Sequence, residues 1–570
     1  VLTNLTIRNF KLFEEVELAL DERVVLVGPN NSGKTSVLQA LALWEVGVGR
    51  WCEKRANGEA PDDSSDVVIG RRDLFPAPVP ETKHLWRDLI VSHGVRNGER
   101  NCANNVLIEV LVEGAEASAW RCGMEFDYVN DESYYCRPMK QESGGRMGVP
   151  PDASKVRVAY LAPMSGIASD EFLLTRAAVN VHIGEGKTAD VLRNICYHVW
   201  EGTDGEEKWG RIAERMERLF GCKLEYPEYI PGRGEIRMKY RTPKGTTLDI
   251  SASGRGQQQM LLLLAHMEAN RGAVLLLDEP DAHLEILRQR ATHRMLGEIA
   301  EETRSQIIVA SHSEAVLTEA LGRDAVLSLV GSPRVVKDRG SQVLKSLKDI
   351  GFEHYQQAMQ KGWILFLEGP TDLAILRQFA ILLGHEAQED LRSPYVHYVS
   401  NQPSKAHSHF FGLREAVPDL KGIALFDRLD SPPGERHGIE QLMWRRREIE
   451  NYLYSKDALM SFAESEGKTK RDTSLAKLWR GAMEQAASEV EGALTIIYGT
   501  ADRWRSERKV SEDLLAPILD KFYTRLGMPN QLRKANFHKL VTHLSPDDVH
   551  PEVSEKLDAI LAVSKTARPG

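Results

Sequence analysis

The run GPNNSGKTS, Gly28 to Ser36, constrains the fold more than any other part of this 570-residue chain. It fits G-x-x-x-x-G-K-[ST] with Gly28, Gly33, Lys34 and Thr35, and it joins the apolar stretch RVVLV to the helix-patterned SVLQALAL. A strand, a glycine-rich turn and a helix in that order aim successive backbone N–H groups and a helix N-terminus at one anion. Gly28 and Gly33 permit the turn, and Pro29, Asn30, Asn31 and Ser32 fill it. Lys34 would neutralise the β- and γ-phosphates of a nucleotide, Thr35 would ligate Mg²⁺, and Ser36 closes the loop. The bland alternative is a glycine-rich turn with no ligand.

Three further stretches argue against that alternative. AVLLLDEPDAHLE runs four apolar residues into Asp278 and Glu279. A buried strand there would present Asp278 to the Mg²⁺ shell and Glu279 to an attacking water. SASGRGQQQ, residues 251–259, is a small-residue turn entering the apolar helix MLLLLAHMEA, whose N-terminus suits a second anion. IIVASHSE puts His312 at a strand end, within reach of a γ-phosphate.

In this order the motifs resemble the ABC ATPase superfamily, and the likeness spans residues 1–335. It implies that Gly28 to Ser36 are Walker A and that Ser253, Gly254, Gly256 and Gln257 are the signature. It further makes Asp278 and Glu279 Walker B, Asp281 the D-loop residue and His312 the switch histidine. The signature carries an extra Arg255, which leaves open which serine meets phosphate. GRRDLF, around Asp73, occupies the place of the Q-loop but has no glutamine. About 215 residues separate Walker A from the signature without sustained heptads, which excludes long coiled-coil arms. No apolar run approaches the roughly 20 residues of a membrane span, which excludes a transporter. What remains is a compact head similar to RecF-like and OLD (overcoming lysogenization defect) proteins.

The last third repeats the strand-then-acid pattern. FLEGPTD places Glu368 after an apolar strand and Asp372 in the first turn of the next helix. GIALFDRLD ends another strand at Asp427, with Asp430 three residues on, and REIENYL adds Glu448 and Glu450. Carboxylates leaving neighbouring strand ends can hold Mg²⁺ ions, and two such ions activate water and stabilise a leaving oxygen. Arg445, Arg446 and Arg447 beside them are candidates for gripping a phosphate backbone.

Residues 360–455 resemble a Toprim domain, and EGPTD keeps both acidic positions of the EGxSE motif of OLD-family nucleases. DRLD has two intervening residues where the family has one. The resemblance implies metal ligation by Glu368, Asp372, Asp427 and Asp430, to which REIENYL adds Glu450 as a candidate, and a later catalytic lysine: Lys534, with Lys539 the alternative. An ABC head followed by a Toprim domain is the OLD-family architecture, similar to Gabija-type and PARIS-type antiphage proteins. The expected fold is therefore α/β: an ABC-type P-loop ATPase domain at 1–340, with a strand-rich and helical insertion at about 50–245, a linker at 341–360, a Toprim-like α/β domain at 361–455 and a mainly helical C-terminal region at 456–570. The resemblance implies an ATP-hydrolysing enzyme coupled to a metal-dependent nuclease acting on DNA or RNA in antiphage defence. Its cofactors would be ATP and Mg²⁺, with Mn²⁺ an alternative at the Toprim site.

The rival readings are an ATPase sensor whose non-catalytic Toprim domain recruits a separate effector, and a RecF-like repair factor. The expected partners are a second copy of the chain, in a homodimer or higher even-numbered oligomer, together with nucleic acid and a defence effector or phage trigger, and no membrane. A net charge of −9 gives no overall nucleic-acid signature. Six cysteines without CxxC spacing argue against a zinc framework and for reduced thiols. The first 20 residues lack the order of a signal peptide, so a cytoplasmic location is expected.

Overall fold

A computed structural model describes the chain except residues 57–65, 71–76, 98–99, 117, 142–143, 165–167, 169, 330–333, 337–349, 416, 435–436, 469–472, 503, 505–506 and 569–570. The Asp73 stretch and the start of the expected linker thus lie outside the described residues. The chain divides into two compact units, Val1–Lys348 and Asp349–Gly570.

The first unit opens with strands β1 (Leu2–Phe10) and β2 (Phe13–Ala19), then β3 (Arg23–Val27), which feeds the P-loop and helix Lys34–Ala56. Strand β4 (Val67–Gly70), the hairpin of β5 (Ser92–Asn97) and β6 (Arg100–Asn105), and strands β7 (Ile108–Ala115), β8 (Ala119–Asn130) and β9 (Ser133–Pro138) follow. Next come β10 (Val158–Leu161) and the short strands β11 (Lys223–Leu224), β12 (Glu228–Ile230), β13 (Glu235–Arg237), β14 (Lys239–Arg241) and β15 (Thr247–Asp249). The unit closes with β16 (Val274–Asp278), β17 (Gln306–Ser311), β18 (Ala325–Ser328) and β19 (Arg334–Val336).

Two six-stranded sheets dominate. One is antiparallel, in the order β2-β1-β7-β8-β9-β4; the other, β10-β16-β17-β3-β18-β19, is parallel apart from its β19 edge. Helix Lys34–Ala56 lies in the core between them. That explains its even apolar run: Val37, Leu38, Ala40, Leu41, Leu43 and Trp44 are all fully buried. Alternation along the parallel strands divides two cores. Val24, Leu26, Leu276 and Ile308 pack toward that helix, while Leu275, Leu277, Ile307 and Val309 pack with helices Leu192–Trp200, Arg255–Ala269 and Ile286–Thr303. Part of the stretch 50–245 is woven into the sheets of this unit. β7, β8 and β9 share a sheet with β1, and β10 is an edge strand of the nucleotide-binding sheet.

The second unit has one parallel sheet. Its strands are β20 (Trp363–Leu367), β21 (Val396–Tyr398), β22 (Lys421–Phe426) and β23 (Ile439–Met443), in the order β21-β20-β22-β23. The chain leaves β20 to opposite sides, so β20 and β22 meet where an open α/β sheet forms a crevice at its carboxyl ends. One sheet face, with Leu365, Leu367, Ile423 and Leu425, shares a core with helices Pro370–Leu382, Lys456–Lys468, Thr473–Tyr498 and Pro551–Lys565. Helices from residues 456–570 thus close the sheet's core. Helix Phe352–Lys361 occupies the second half of the expected 341–360 linker, because Tyr355 and Ala358 are apolar, helically spaced and buried.

Candidate nucleotide and carboxylate sites

β3 is buried from Val24 to Val27 and delivers the chain to Gly28 at the edge of the core. Asn31 and Gly33 take positive φ values of 63° and 95°, so the turn coils back on itself before Lys34 starts the helix. A Cβ on Gly33 would lie 2.5 Å from Cζ of Phe13, so glycine is needed there for space as well as for backbone geometry. Lys34 is buried and its Nζ donates to the carbonyls of Gly28 and Pro29, both at 2.8 Å. Burial lowers its pKa against the pull of Glu279, Asp278 and Asp281. The lysine thus spends its donors on the loop it would release to hold phosphate. Ser32 Oγ is buried without a partner, and Ser36 is buried on the helix.

β17 lies between β16 and β3, which sets the Walker B acids one strand away from the P-loop. Asp278 is paired in register with Ala310. Its Oδ2 accepts from the Tyr160 hydroxyl at 3.2 Å, while Oδ1 is buried and unpartnered. Burial pushes its pKa up to about 6, opposed by a hydrogen bond with Thr35. An ionisable carboxylate with a buried, unpartnered oxygen beside the Thr35 hydroxyl is a donor set suited to a hard divalent cation. Thr35 and Asp278 would hold that ion, whose contribution is to neutralise charge on the phosphates.

Glu279 has φ 50° and its N–H donates to the Ala310 carbonyl at 2.9 Å. Its Oε1 lies 3.0 Å from His312 Nδ1, which lowers the glutamate's pKa and raises the histidine's. Asp281 is buried, accepts from Ser311 Oγ at 3.0 Å, and has its pKa raised by burial. Lys34, Asp278, Glu279, Asp281 and His312 therefore meet at the ends of β3, β16 and β17.

The signature residues make other contacts. Gly254 caps helix Arg255–Ala269, and Gly256 and Gln257 lie in its first turn. Ser253 Oγ is turned inward onto the Ile250 carbonyl at 2.7 Å, and Ser251 Oγ donates to Asp249 at 2.7 Å. The next residue, Gln258, is the structural one: buried, it donates to the Ser253 carbonyl at 2.9 Å.

In the second unit Glu368 follows β20 and Asp427 follows β22, on neighbouring strands. Glu368 is exposed and hydrogen-bonds Asp427, whose pKa is pushed up to about 10 by burial and then by Glu368, Asp372 and Glu450. Asp372 Oδ2 accepts from the backbone N–H of Glu368 at 3.1 Å and of Gly369 at 3.3 Å, so this acid caps its own helix. Burial raises its pKa to about 6. Glu450 is buried and raised to about 7, by burial first and Glu448 second.

Of the two lysines, Lys534 reaches the cluster. Its Nζ lies 3.6 Å from Glu450 and 3.7 Å from Glu448, whereas Lys539 is exposed further along the same segment. Burial works against the charge on Lys534, but Glu450, Glu448 and Glu368 outweigh it and its pKa is raised. Clustered, partly buried acids that hold protons against one another form a donor set that a divalent cation would relieve.

Two expectations are altered here. Asp430 is exposed and is not among the acids acting most strongly on Asp427. Two of the three arginines are engaged by protein: Arg445 pairs with Glu555 at 2.7 Å, and Arg446 stacks over Trp504 and donates to its carbonyl. No three of these carboxylates, among the described residues, bring oxygens within 4.8 Å of one another. The sequence reading missed Tyr160, which braces Asp278, and Ser511, which donates backbone and hydroxyl to Glu448 at 2.6 and 2.9 Å. Neither has a local signal, because each partner is far away in the chain.

Known proteins share parts of this chain. A profile described as "AAA ATPase domain" matches residues 1–44. One described as "AAA domain, putative AbiEii toxin, Type IV TA system" matches residues 231–318. An OLD nuclease of Thermus scotoductus is 23% identical over 356 residues, which are 61% of this chain and 64% of the nuclease's own length. The DNA replication and repair protein RecF of Vibrio parahaemolyticus is 24% identical over 371 residues, covering 59% of this chain and 99% of RecF. Among solved structures, the Thermotoga maritima SMC head domain aligns at TM-score 0.32 and 14% identity, covering 59% of this chain and 98% of that one. An SmcHead bound to the C-winged helix domain of ScpA aligns at TM-score 0.36 and 15% identity, covering 59% and 97%. Among the described residues no helix is long and apolar enough to cross a membrane. Profiles and relatives together support an ATPase domain related to an OLD nuclease and to RecF, and such a domain implies ATP with a divalent metal.

Proposed function

We propose that the chain hydrolyses ATP at Lys34, Asp278 and Glu279 and cleaves nucleic-acid phosphodiesters at the carboxylates of its second unit. The observation that carries this reading is the convergence of Glu368, Asp427, Glu450 and Lys534, drawn from β20, β22 and two later segments, at the carboxyl ends of a parallel sheet. Bound divalent ions supply water activation and leaving-oxygen stabilisation. Glu368, Asp427 and Glu450 would hold those ions, and Lys534 would meet the phosphate as a cation. This is the OLD-like pairing of an ABC head with a Toprim-like nuclease, and antiphage defence is the role we assign to it. The partner is a second copy of the chain, whose signature completes the nucleotide site.

The test is cleavage of plasmid DNA and a tRNA pool by wild type and Glu368→Ala, with Mg²⁺ or Mn²⁺ and with or without ATP. Loss of the carboxylate should slow cleavage at least about a hundredfold while ATP hydrolysis persists. Equal cutting by both proteins overturns the assignment.

Two specific observations favour a second reading. Asp372 spends an oxygen on its helix cap, and the carboxylates do not close into a tight trio. A non-catalytic second unit that recruits a separate effector predicts no cleavage under any metal, with ATP turnover intact.

A further inference from the structure

Three histidines converge on the sheet face of the second unit that lies away from its helical core. His354 comes from helix Phe352–Lys361, His397 from β21, and His409 from helix Pro403–Arg414. One ring nitrogen from each lies within 4.8 Å of the other two. His397 and His409 stack with ring centroids 3.6 Å apart, and His354 stands edge-on to them at 5.3 and 5.0 Å. Phe366, paired in register with His397, closes the floor beneath the rings.

Two features separate this cluster from ordinary core histidines. His409 is only 7% exposed, and both of its ring nitrogens are buried without a hydrogen-bond partner. Buried polar atoms in native proteins nearly always have a partner, so two on one ring indicate a missing one. His354 Nδ1 lies 3.1 Å from the buried Tyr395 hydroxyl, which fixes that ring and leaves its other nitrogen free to ligate. A ligating histidine held from behind through its second nitrogen is the usual support of a metal site.

We propose that His354, His397 and His409 bind one zinc-class divalent cation, with Tyr395 as a positioning residue and water in the fourth place. Three imidazoles suit zinc and its late first-row neighbours, and tetrahedral Zn²⁺ takes three protein ligands and a water where a position stays open. Burial and mutual repulsion lower the pKa values of His397 to about 4 and His409 to about 3, so both rings are neutral with lone pairs available. In-plane lone pairs on two parallel rings diverge, so ligation turns one ring out of the stack. The ion would staple helix Phe352–Lys361 and helix Pro403–Arg414 to β21. It is chemically distinct from the hard, all-oxygen carboxylate cluster and does not depend on nuclease activity.

The experiment uses the full chain stripped of metal, titrated with Zn²⁺ and then with Co²⁺ as a visible-absorbing probe. With Mg²⁺ in excess to occupy the oxygen-ligand sites, one Zn²⁺ per chain is expected, with a tetrahedral nitrogen-ligand Co²⁺ spectrum that Zn²⁺ displaces. His397→Ala and His409→Gln should each weaken binding at least about a hundredfold, and Tyr395→Phe about tenfold. Glu368→Ala should leave the Co²⁺ spectrum unchanged, which separates this site from the carboxylates. Should His409→Gln fail to fold, His354→Ala, at a half-buried position, carries the same test. The proposal is overturned if wild type takes up no Zn²⁺ at micromolar concentration, or if folded histidine variants bind it as wild type does.

Discussion

Nδ1 of His312 stands 3.0 Å from Oε1 of Glu279, so the end of β17 holds the carboxylate that follows the Walker B aspartate. The pair defines a pH window. His312 binds its proton more tightly folded than unfolded, so its contribution is fully present below about 6.5 and is lost as pH rises through the raised value. Glu279 has a lowered pKa, so its contribution is present above the ordinary glutamate range and is lost as pH falls through the lowered value. Both side chains are partly exposed, which keeps the pair under about 1 kcal/mol. The melting difference between wild type and His312→Ala should be largest near pH 5 to 6 and vanish by about pH 9. A difference independent of pH would contradict the ion pair.

Gly33→Ala should cost about 1–3 kcal/mol of stability through the positive φ, and weaken ATP binding as well. The new methyl also meets Phe13. Phe13→Ala in the same chain should restore part of the loss, because it removes the collision but not the backbone strain. Thermal melting of the two single variants and the double variant measures the split; simple additivity of the losses would rule out the contact.

Burial and the neighbouring Glu368 raise the Asp427 pKa strongly, so the hydrogen-bonded pair of carboxyls shares a proton at neutral pH. Binding of Mg²⁺ or Mn²⁺ by this carboxylate must then expel about one proton per chain at pH 8, measurable in weakly buffered solution. Asp427→Asn should abolish that release. In EDTA at pH 8 the same variant should melt higher than wild type. A carboxyl whose folded pKa is raised contributes stability in full below its unfolded value, and that contribution is lost as pH rises from there through the folded one.

Gly254 is exposed and a Cβ there would meet nothing within 4 Å, so Gly254→Asp leaves the subunit intact while placing a negative charge where a partner's γ-phosphate is proposed to sit. Lys34→Ala removes the other half of the site. Each variant alone should lose ATP turnover, whereas mixed chains should recover up to about a quarter of wild-type activity through dimers retaining one working site. Full activity of Gly254→Asp by itself would overturn the shared-site geometry.

The nucleotide motifs were legible because their chemistry is local. Gly28 to Ser36 and Asp278 to Glu279 are contiguous runs in which spacing alone implies a strand, a turn and a polar end. The braces were not: Tyr160 reaches Asp278 across 118 positions, and only the pairing of β10 with β16 brings them together. Arg446 read as a phosphate grip until Trp504, 58 residues later, proved to lie beneath it. Asp372 was visible as an acid after a strand, but whether such an acid faces a ligand or its own helix is decided by a side-chain torsion that spacing does not encode. His354, His397 and His409 sit on three different elements, so nothing in their order links them.

The ring of Phe13 fills the space where any other residue would put a side chain at position 33. β2, which carries it, belongs to the antiparallel sheet running out to β9 and β4, so the phosphate loop leans directly on a structure outside the nucleotide-binding sheet. Lys34 holds the carbonyls of Gly28 and Pro29, so a ligand that drew it away would disturb the loop where Phe13 touches it. A fluorophore on the hairpin of β1 and β2 is therefore expected to change its emission when ATP is added to wild type and to stay silent in Lys34→Ala.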